Sequence, residues 1–318
     1  MRYCIGVDLG GTNIAIGIID LDGKRILRTK SVKTRAPRPC REISAEIKDV
    51  CISLCRDEGL RLSDMEWIGI ATPGIVKSGV VVSAVNLGWM NEKFGQIMKE
   101  VTGRPTFVAN DANAAAYAEA MWGCGVGENS LIAVTLGTGV GGGIILNGRI
   151  WEGFNGFAAE LGHMVIAADG RRCACGLRGC LEAYCSATAL VSETKRMMKL
   201  YPDSIMWDVV KGDINRVDGR TAFAANRRGD MAAHQVIEDF VTYLAIGIAN
   251  VVNVFQPSVV CIGGGISGQG EELMKPLRDR LRYTSFGTKD SRTRVEAAVY
   301  KNNAGIVGAA LLGLMEDK

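Results

Sequence analysis

Three cysteines spaced Cys-x-Cys-x4-Cys, Cys173, Cys175 and Cys180, follow His163 by ten residues and together offer three thiolates and one imidazole. That is a full tetrahedral set for zinc, and with no position left open for water it describes a structural site rather than a catalytic one. Gly176 and Gly179 let the intervening chain double back so that the sulfurs converge. A plain cysteine-rich turn is the competing reading. A disulfide is disfavoured because nothing else in the chain points to an oxidising compartment. Glu160 and Glu182 flank the loop. Held near His163 on a metal-fixed backbone, they would exchange hydrogen bonds with a polyhydroxylated ligand, although isolated glutamates are more often ordinary exposed residues.

Glycine turns supply the second kind of chemistry. Leu9-Gly10-Gly11-Thr12-Asn13 and Gly137-Thr138-Gly139-Val140-Gly141 each lie between two apolar runs, and Gly263-Gly264-Gly265 follows a third. Clustered N–H donors and small hydroxyls approach phosphate oxygens closely where no Cβ intervenes. Neither of the first two is a Walker motif, because the terminal Lys-Ser/Thr is missing. Asp111 stands at a strand end, where open α/β folds gather their ligands, and is placed to act as a general base toward a sugar hydroxyl. Asp8 precedes the first turn and is suited to hold Mg²⁺ directly or through water.

The elements that must carry these residues alternate. Residues 3–9, 14–20 and 26–32 read as strands, the first two a hairpin around the Gly10–Gly11 turn. Ile43, Ile47, Val50 and Leu54 recur at helical spacing through residues 41–58. Strands are expected at 67–71, 80–83 and 106–109, the last ending in Asn110–Asn113, and helices at 91–102 and 114–122. A second hairpin, 130–136 with 142–146, repeats strand, Gly/Thr turn, strand. Helices at 188–200, 230–255, 270–283 and 303–315 and strands at 258–262 and 295–299 complete the pattern. It predicts two α/β halves: a smaller domain over residues 1–122, a larger one over 123–302 with the cysteine loop at 163–180, and a C-terminal helix at about 303–318 that packs back on the first.

Composition narrows the partners. A net charge of +3 with 22% charged residues gives no broad field for nucleic acid. Forty glycines against seven prolines fit many tight turns. The ten cysteines read as intracellular, Cys4 and Cys261 lying in apolar strand-like runs and Cys51 and Cys55 one helical turn apart. No signal segment precedes Met1, and the apolar run 241–255, at about fifteen residues, is short for a membrane span. A soluble, cytoplasmic protein without a membrane partner is expected, assembling as a homodimer or homotetramer.

Asp8-Leu9-Gly10-Gly11-Thr12, Asn110-Asp111-Ala112-Asn113, residues 136–143, Glu160-Leu161-Gly162-His163 and residues 173–182 together resemble the ROK family of sugar kinases and repressors, and, with Asn86-Leu87-Gly88-Trp89, its bacterial glucokinase branch. The motifs come in the family's order and cover almost the whole chain. The resemblance implies the actin-like ATPase fold, two RNase H-like α/β domains closing on a cleft, and ATP-dependent phosphorylation of a hexose at its 6-hydroxyl, glucose first. Carried over by position, Asp111 matches the catalytic base. Asn86, Asn110, Glu160, His163 and Glu182 fall at sugar contacts. Asp8, Gly10, Gly11, Thr12, Thr138 and Gly139 fall at the phosphate turns, with Gly264 and Gly265 on the adenosine side. His163, Cys173, Cys175 and Cys180 fall at the zinc. Kinases for allose, fructose, mannose and N-acetylmannosamine share these motifs. A sugar-sensing repressor is the rival from another class.

Overall fold

The computed structural model describes residues 1–284, 286 and 293–315. The chain opens with strands β1 (Tyr3–Leu9), β2 (Asn13–Asp20) and β3 (Arg25–Lys33), then helix α1 (Cys40–Asp57). Next come β4 (Met65–Thr72), β5 (Ile75–Lys77), β6 (Val80–Ala84), β7 (Trp89–Glu92), α2 (Phe94–Thr102), β8 (Thr106–Asn110) and α3 (Asp111–Met121). Strands β9 (Ser130–Leu136), β10 (Val140–Leu146) and β11 (Arg149–Ile150) follow, then helices α4 (Glu182–Cys185), α5 (Ala187–Leu200), α6 (Met206–Val209), α7 (Thr221–Asn226) and α8 (Met231–Phe255). The described chain closes with β12 (Val259–Gly263), α9 (Glu271–Thr284), β13 (Arg294–Ala297) and α10 (Ala304–Leu311).

The first sheet runs β3-β2-β1-β4-β8 and the second β11-β10-β9-β12-β13, so one strand order is used twice. β1, β4 and β8 are parallel, as are β9, β12 and β13, while β2 and β3 turn back as an antiparallel meander. Parallel alignment brings strand ends into line: Asp8 pairs with Ala71, and Thr72 with Asn110. In the second sheet Gly263 pairs with Thr135. A three-stranded sheet, β5-β6-β7, is the third.

Cα packing divides the chain into two units, one of Met1–Asn129, Gly143–Ala158 and Asn302–Lys318, the other of Ser130–Gly142 and Ala159–Lys301. The change of unit inside β10 gives 143–158 to the first, so no single cut near residue 123 describes the division.

Two local expectations fail, one for a tertiary reason and one for a local one. Residues 91–92 are strand rather than helix, because β7 pairs with β6 and the buried Trp89 packs edge-on against Phe94, ring centroids 5.0 Å apart. Helix begins at Asp111 rather than at Ala114. The Asn110 side chain accepts the N–H groups of Ala112 and Asn113 at 2.9 and 3.2 Å, starting α3 at Asp111. Residues 201–229, left without elements by periodicity, contain α6 and α7.

In the first unit α1 buries Ile43, Ile47, Cys51 and Leu54 among Ile5, Val7, Ile16 and Ile68. Helix α10 packs against β1, β4 and α3. Backbones meet there: a Cβ on Gly69 would stand 1.7 Å from the Ala309 carbonyl oxygen, and one on Gly308 1.8 Å from that of Ala114. Trp67 Nε1 donates to the Ala310 carbonyl at 2.7 Å. In the second unit α8 is the central helix, burying Val236, Phe240, Val241, Leu244 and Ile248 and touching α4, α5, α7 and α9. At 25 residues it is long and apolar enough to cross a membrane, and 61% of its most apolar window lies inside the protein.

Substituting Gly69 by alanine drives a methyl group into a helix backbone that cannot rotate away. Urea unfolding should show a loss of about 1–3 kcal/mol, the usual cost of overpacking. An unchanged midpoint would mean that α10 stands off the sheet.

Candidate functional site

In the first unit the parallel strand ends gather the polar residues. Asp8 is the penultimate residue of β1 and lies mostly out of water. The turn after it is tied down by backbone: Gly10 N–H donates to the Asn13 carbonyl at 2.9 Å, Thr34 N–H to that of Thr12 at 2.9 Å, and the Thr34 hydroxyl to that of Gly10 at 2.6 Å. Thr12 is exposed. Asn86, in the 3-10 turn Val85–Leu87, faces Gly11 so closely that a Cβ there would be 3.2 Å from its own. Asn110 closes the group. Besides capping α3 it donates to the Gly74 carbonyl at 2.9 Å, and exposed Asp111 follows it at the first helical position.

Burial, and then the charge of Asp111, push the Asp8 carboxyl up to about 6 from an ordinary 3.8. Two carboxylates thus act on one another from different elements and unlike surroundings, Asp8 mostly out of water on a strand end and Asp111 exposed at a helix start. A desolvated carboxylate beside a second acid is relieved by a cation.

The second unit assembles the sulfur site. The ligand atoms of His163, Cys173, Cys175 and Cys180 all lie within 4.8 Å of one another. His163 presents Nδ1, 3.8 Å from Cys173 Sγ, and the Cys175 and Cys180 sulfurs are 3.7 Å apart. The loop is tight: Cys173 N–H donates to Leu177, Gly179 N–H to Arg171 and Leu181 N–H to Met164, at 2.8–2.9 Å. Burial pushes the Cys180 thiol up to about 12, whereas the Leu177 N–H holds Cys175 below the usual thiol range. Three sulfurs this close ionise together only around a cation, and S₃N is a donor set that zinc accepts. Behind the loop Leu181 sits against Gly247 of α8, and Arg171 lies over the Tyr184 ring at 4.8 Å while pairing with Glu193 at 2.9 Å.

Glu182 reaches the Gly137–Gly141 turn. Its Oε2 accepts the Val140 N–H at 2.9 Å and its Oε1 lies 3.7 Å from Cys173 Sγ, so one carboxylate bridges the sulfur loop and the Gly137–Gly141 turn. Sequence reasoning assigned it to a sugar hydroxyl alone. The same turn is held from α5, where Ala187 N–H donates to the Gly137 carbonyl at 2.7 Å and the Thr188 hydroxyl to that of Thr138 at 2.8 Å. Thr188 escaped sequence reasoning; a threonine just inside a helix start was its one signal. Gly264, with φ +82°, is pressed onto Leu136, whose backbone would lie 2.4–2.5 Å from a Cβ. Gly264 and Gly265 are exposed beside it, and exposed Glu160 precedes the 3-10 turn Leu161–His163.

Residues 4–316 match the model of the ROK family. The chain is 35% identical over 309 residues to the glucokinase of Thermotoga maritima, covering 96% of this chain and 95% of that one. It is similar in structure to a ROK family glucokinase from Streptomyces griseus in complex with glucose and AMPPNP, at 36% identity and TM-score 0.80 over 98% of both chains. A ROK family transcriptional regulator, a homologue of the E. coli MLC protein, matches at 27% identity and TM-score 0.86, covering 98% of this chain and 78% of that one. The shared fold is the actin-like ATPase fold.

The raised Asp8 value gives a signed prediction. Its folded pKa lies above 3.8, so its contribution to stability is complete below about pH 4 and lost as pH rises through about 6. A ¹³C NMR titration of the metal-free protein should find the Asp8 carboxyl near 6. Asp111→Asn should lower that midpoint without returning it to 3.8, because burial is the larger cause. An Asp8 that titrates normally would show that water reaches it.

Proposed function

This chain belongs to the ROK family, and from that membership we propose that it transfers the γ-phosphoryl group of ATP to the 6-hydroxyl of glucose. The observation that carries the reading is the Asp8–Asp111 pair beside the Gly10–Thr12 turn. Two carboxylates in unlike environments suit two unlike tasks. Asp111, exposed on a helix start whose orientation Asn110 fixes, accepts the proton of the attacking hydroxyl. Asp8, mostly out of water and close to a second acid, fits a divalent cation, and Mg²⁺ bound there would offset charge on the transferring phosphoryl group.

The other residues position. N–H groups of the turns at Gly10–Thr12 and Thr138–Gly139 receive phosphate oxygens, and the Gly264–Gly265 backbone lies on the adenosine side. Asn86, Asn110, Glu160, His163 and Glu182 supply hydrogen bonds to sugar hydroxyls. None of them is a lysine or arginine, which favours a neutral hexose over a sugar acid or sugar phosphate. Zinc fits the four ligands His163, Cys173, Cys175 and Cys180 as a closed structural site that fixes the loop carrying Glu182. The same reading makes this a cytoplasmic enzyme that works as a homodimer or homotetramer.

A hexose panel assayed with ATP tests the proposal. Glucose should exceed mannose in kcat/KM by about tenfold, roughly 1.4 kcal/mol of transition-state binding. Asp111→Asn should lower kcat by about 10²–10⁴-fold with far less effect on glucose binding. A preference for allose, fructose or N-acetylmannosamine would overturn glucose but keep the kinase. Glucose binding without turnover on any hexose would favour a regulator, the class of one structural relative.

Elemental analysis should find about one zinc per chain. Cys175→Ala should lose it and weaken glucose affinity as the loop slackens. A metal-free protein with full activity would sink the zinc assignment.

A further inference from the structure

Helix α10 contributes one more constraint to the first unit. A Cβ built on Gly305 would lie 2.4 Å from Asp8 Oδ2, 2.5 Å from its Cγ and 3.0 Å from Oδ1. All three of its nearest neighbours belong to one carboxyl group. Real side chains essentially never approach so closely, and because Cγ itself is in conflict, spinning the carboxylate about its last bond does not relieve it. The other glycine of this helix differs in kind: Gly308 meets the backbone of α3 at Ala114, an obstacle that only moving a helix removes.

We propose that Gly305 is a positioning residue for Asp8. Its missing side chain is the space in which the carboxylate sits, so the first turn of α10 sets where Asp8 presents its oxygens to a divalent cation and its nucleotide. The inference rests on the kinase reading for what Asp8 does. The contact itself stands on the distances. The strand end and the helix that shape it are almost 300 residues apart in sequence, and neither position alone betrays the link. Any side chain at 305 displaces Asp8 toward another rotamer while leaving the sheet and the sugar-facing residues in place.

The test compares Gly305→Ala with Gly308→Ala and the parent protein, with Mn²⁺ and ADP as the probe. Mn²⁺ binding in the presence of ADP is read by electron paramagnetic resonance, which requires no turnover. Gly305→Ala should weaken it by about tenfold and lower kcat by roughly 10²-fold, the scale of a misplaced catalytic group, with KM for glucose unchanged. Gly308→Ala, which meets backbone rather than the carboxylate, should lower Tm at least as far as Gly305→Ala while weakening Mn²⁺·ADP binding clearly less, and the reverse order of affinities overturns the proposal. A folded Gly305→Ala protein with parental Mn²⁺·ADP affinity overturns the proposal. If Gly305→Ala does not fold, Asp8→Ala in the same chain decides: restored folding supports the contact, and a double variant that stays unfolded overturns it. Failure of the parent to phosphorylate any hexose would sink the kinase reading without touching the Mn²⁺ comparison, so the two fail separately.

Discussion

Backbone meeting backbone is the constraint on which the first unit depends. Helix α10 reaches β1, β4 and α3 only because Gly6, Gly69 and Gly308 present no side chain at the crossings, where even a methyl group would fall within 2 Å of a carbonyl oxygen. Interiors packed at crystal-like density transmit such restrictions rigidly. Fixing α10 fixes the layer behind the sheet, and with it the strand ends where Asp8 and Asn110 stand. The indole of Trp67, bound to the Ala310 carbonyl, pins the far end of the helix at the same sheet. Chemistry at the end of β1 therefore depends on a helix from the end of the chain.

The second unit meets a similar problem by different means. Its sulfur loop contains little regular structure, and its order comes from short backbone hydrogen bonds and four convergent ligand atoms. Leu181 anchors it in the cleft that Gly247 leaves on α8. From that base Glu182 reaches the Val140 N–H, so the Gly137–Gly141 turn and the cysteine loop share one carboxylate. Slack in either is felt by the other. A structural metal in such an arrangement acts on function through the backbone it stiffens.

Electrostatics separates the acids. Asp8 is desolvated and pressed by a neighbouring charge, Asp111 lies open at a helix start, and Glu182 is engaged by a backbone donor. One functional group, the carboxylate, is thereby held in three different environments. That the same fold serves a transcriptional regulator shows why the roles have to be argued from side chains: the regulator matches with the higher TM-score and the lower identity.

By itself the sequence determined the local and the spaced features. Alternation and helical periodicity marked most strands and helices, and Gly-Thr turns between apolar runs marked where the chain reverses between neighbouring strands. The Cys-x-Cys-x4-Cys spacing with His163 named four ligand atoms that do converge. These were legible because they are written in neighbouring residues, where steric and hydrogen-bonding rules act over a few bonds. Tertiary structure decided the rest. Residues 91–92 became strand because β6 was there to pair with them. Glu182 was drawn to Val140 because a loop and a turn distant in sequence came to lie side by side. Asp8 acquired its raised pKa and its seat on Gly305 only when β1, α3 and α10 packed together. Desolvation and close contact between distant segments exist only in the folded chain, and a sequence carries no local record of them.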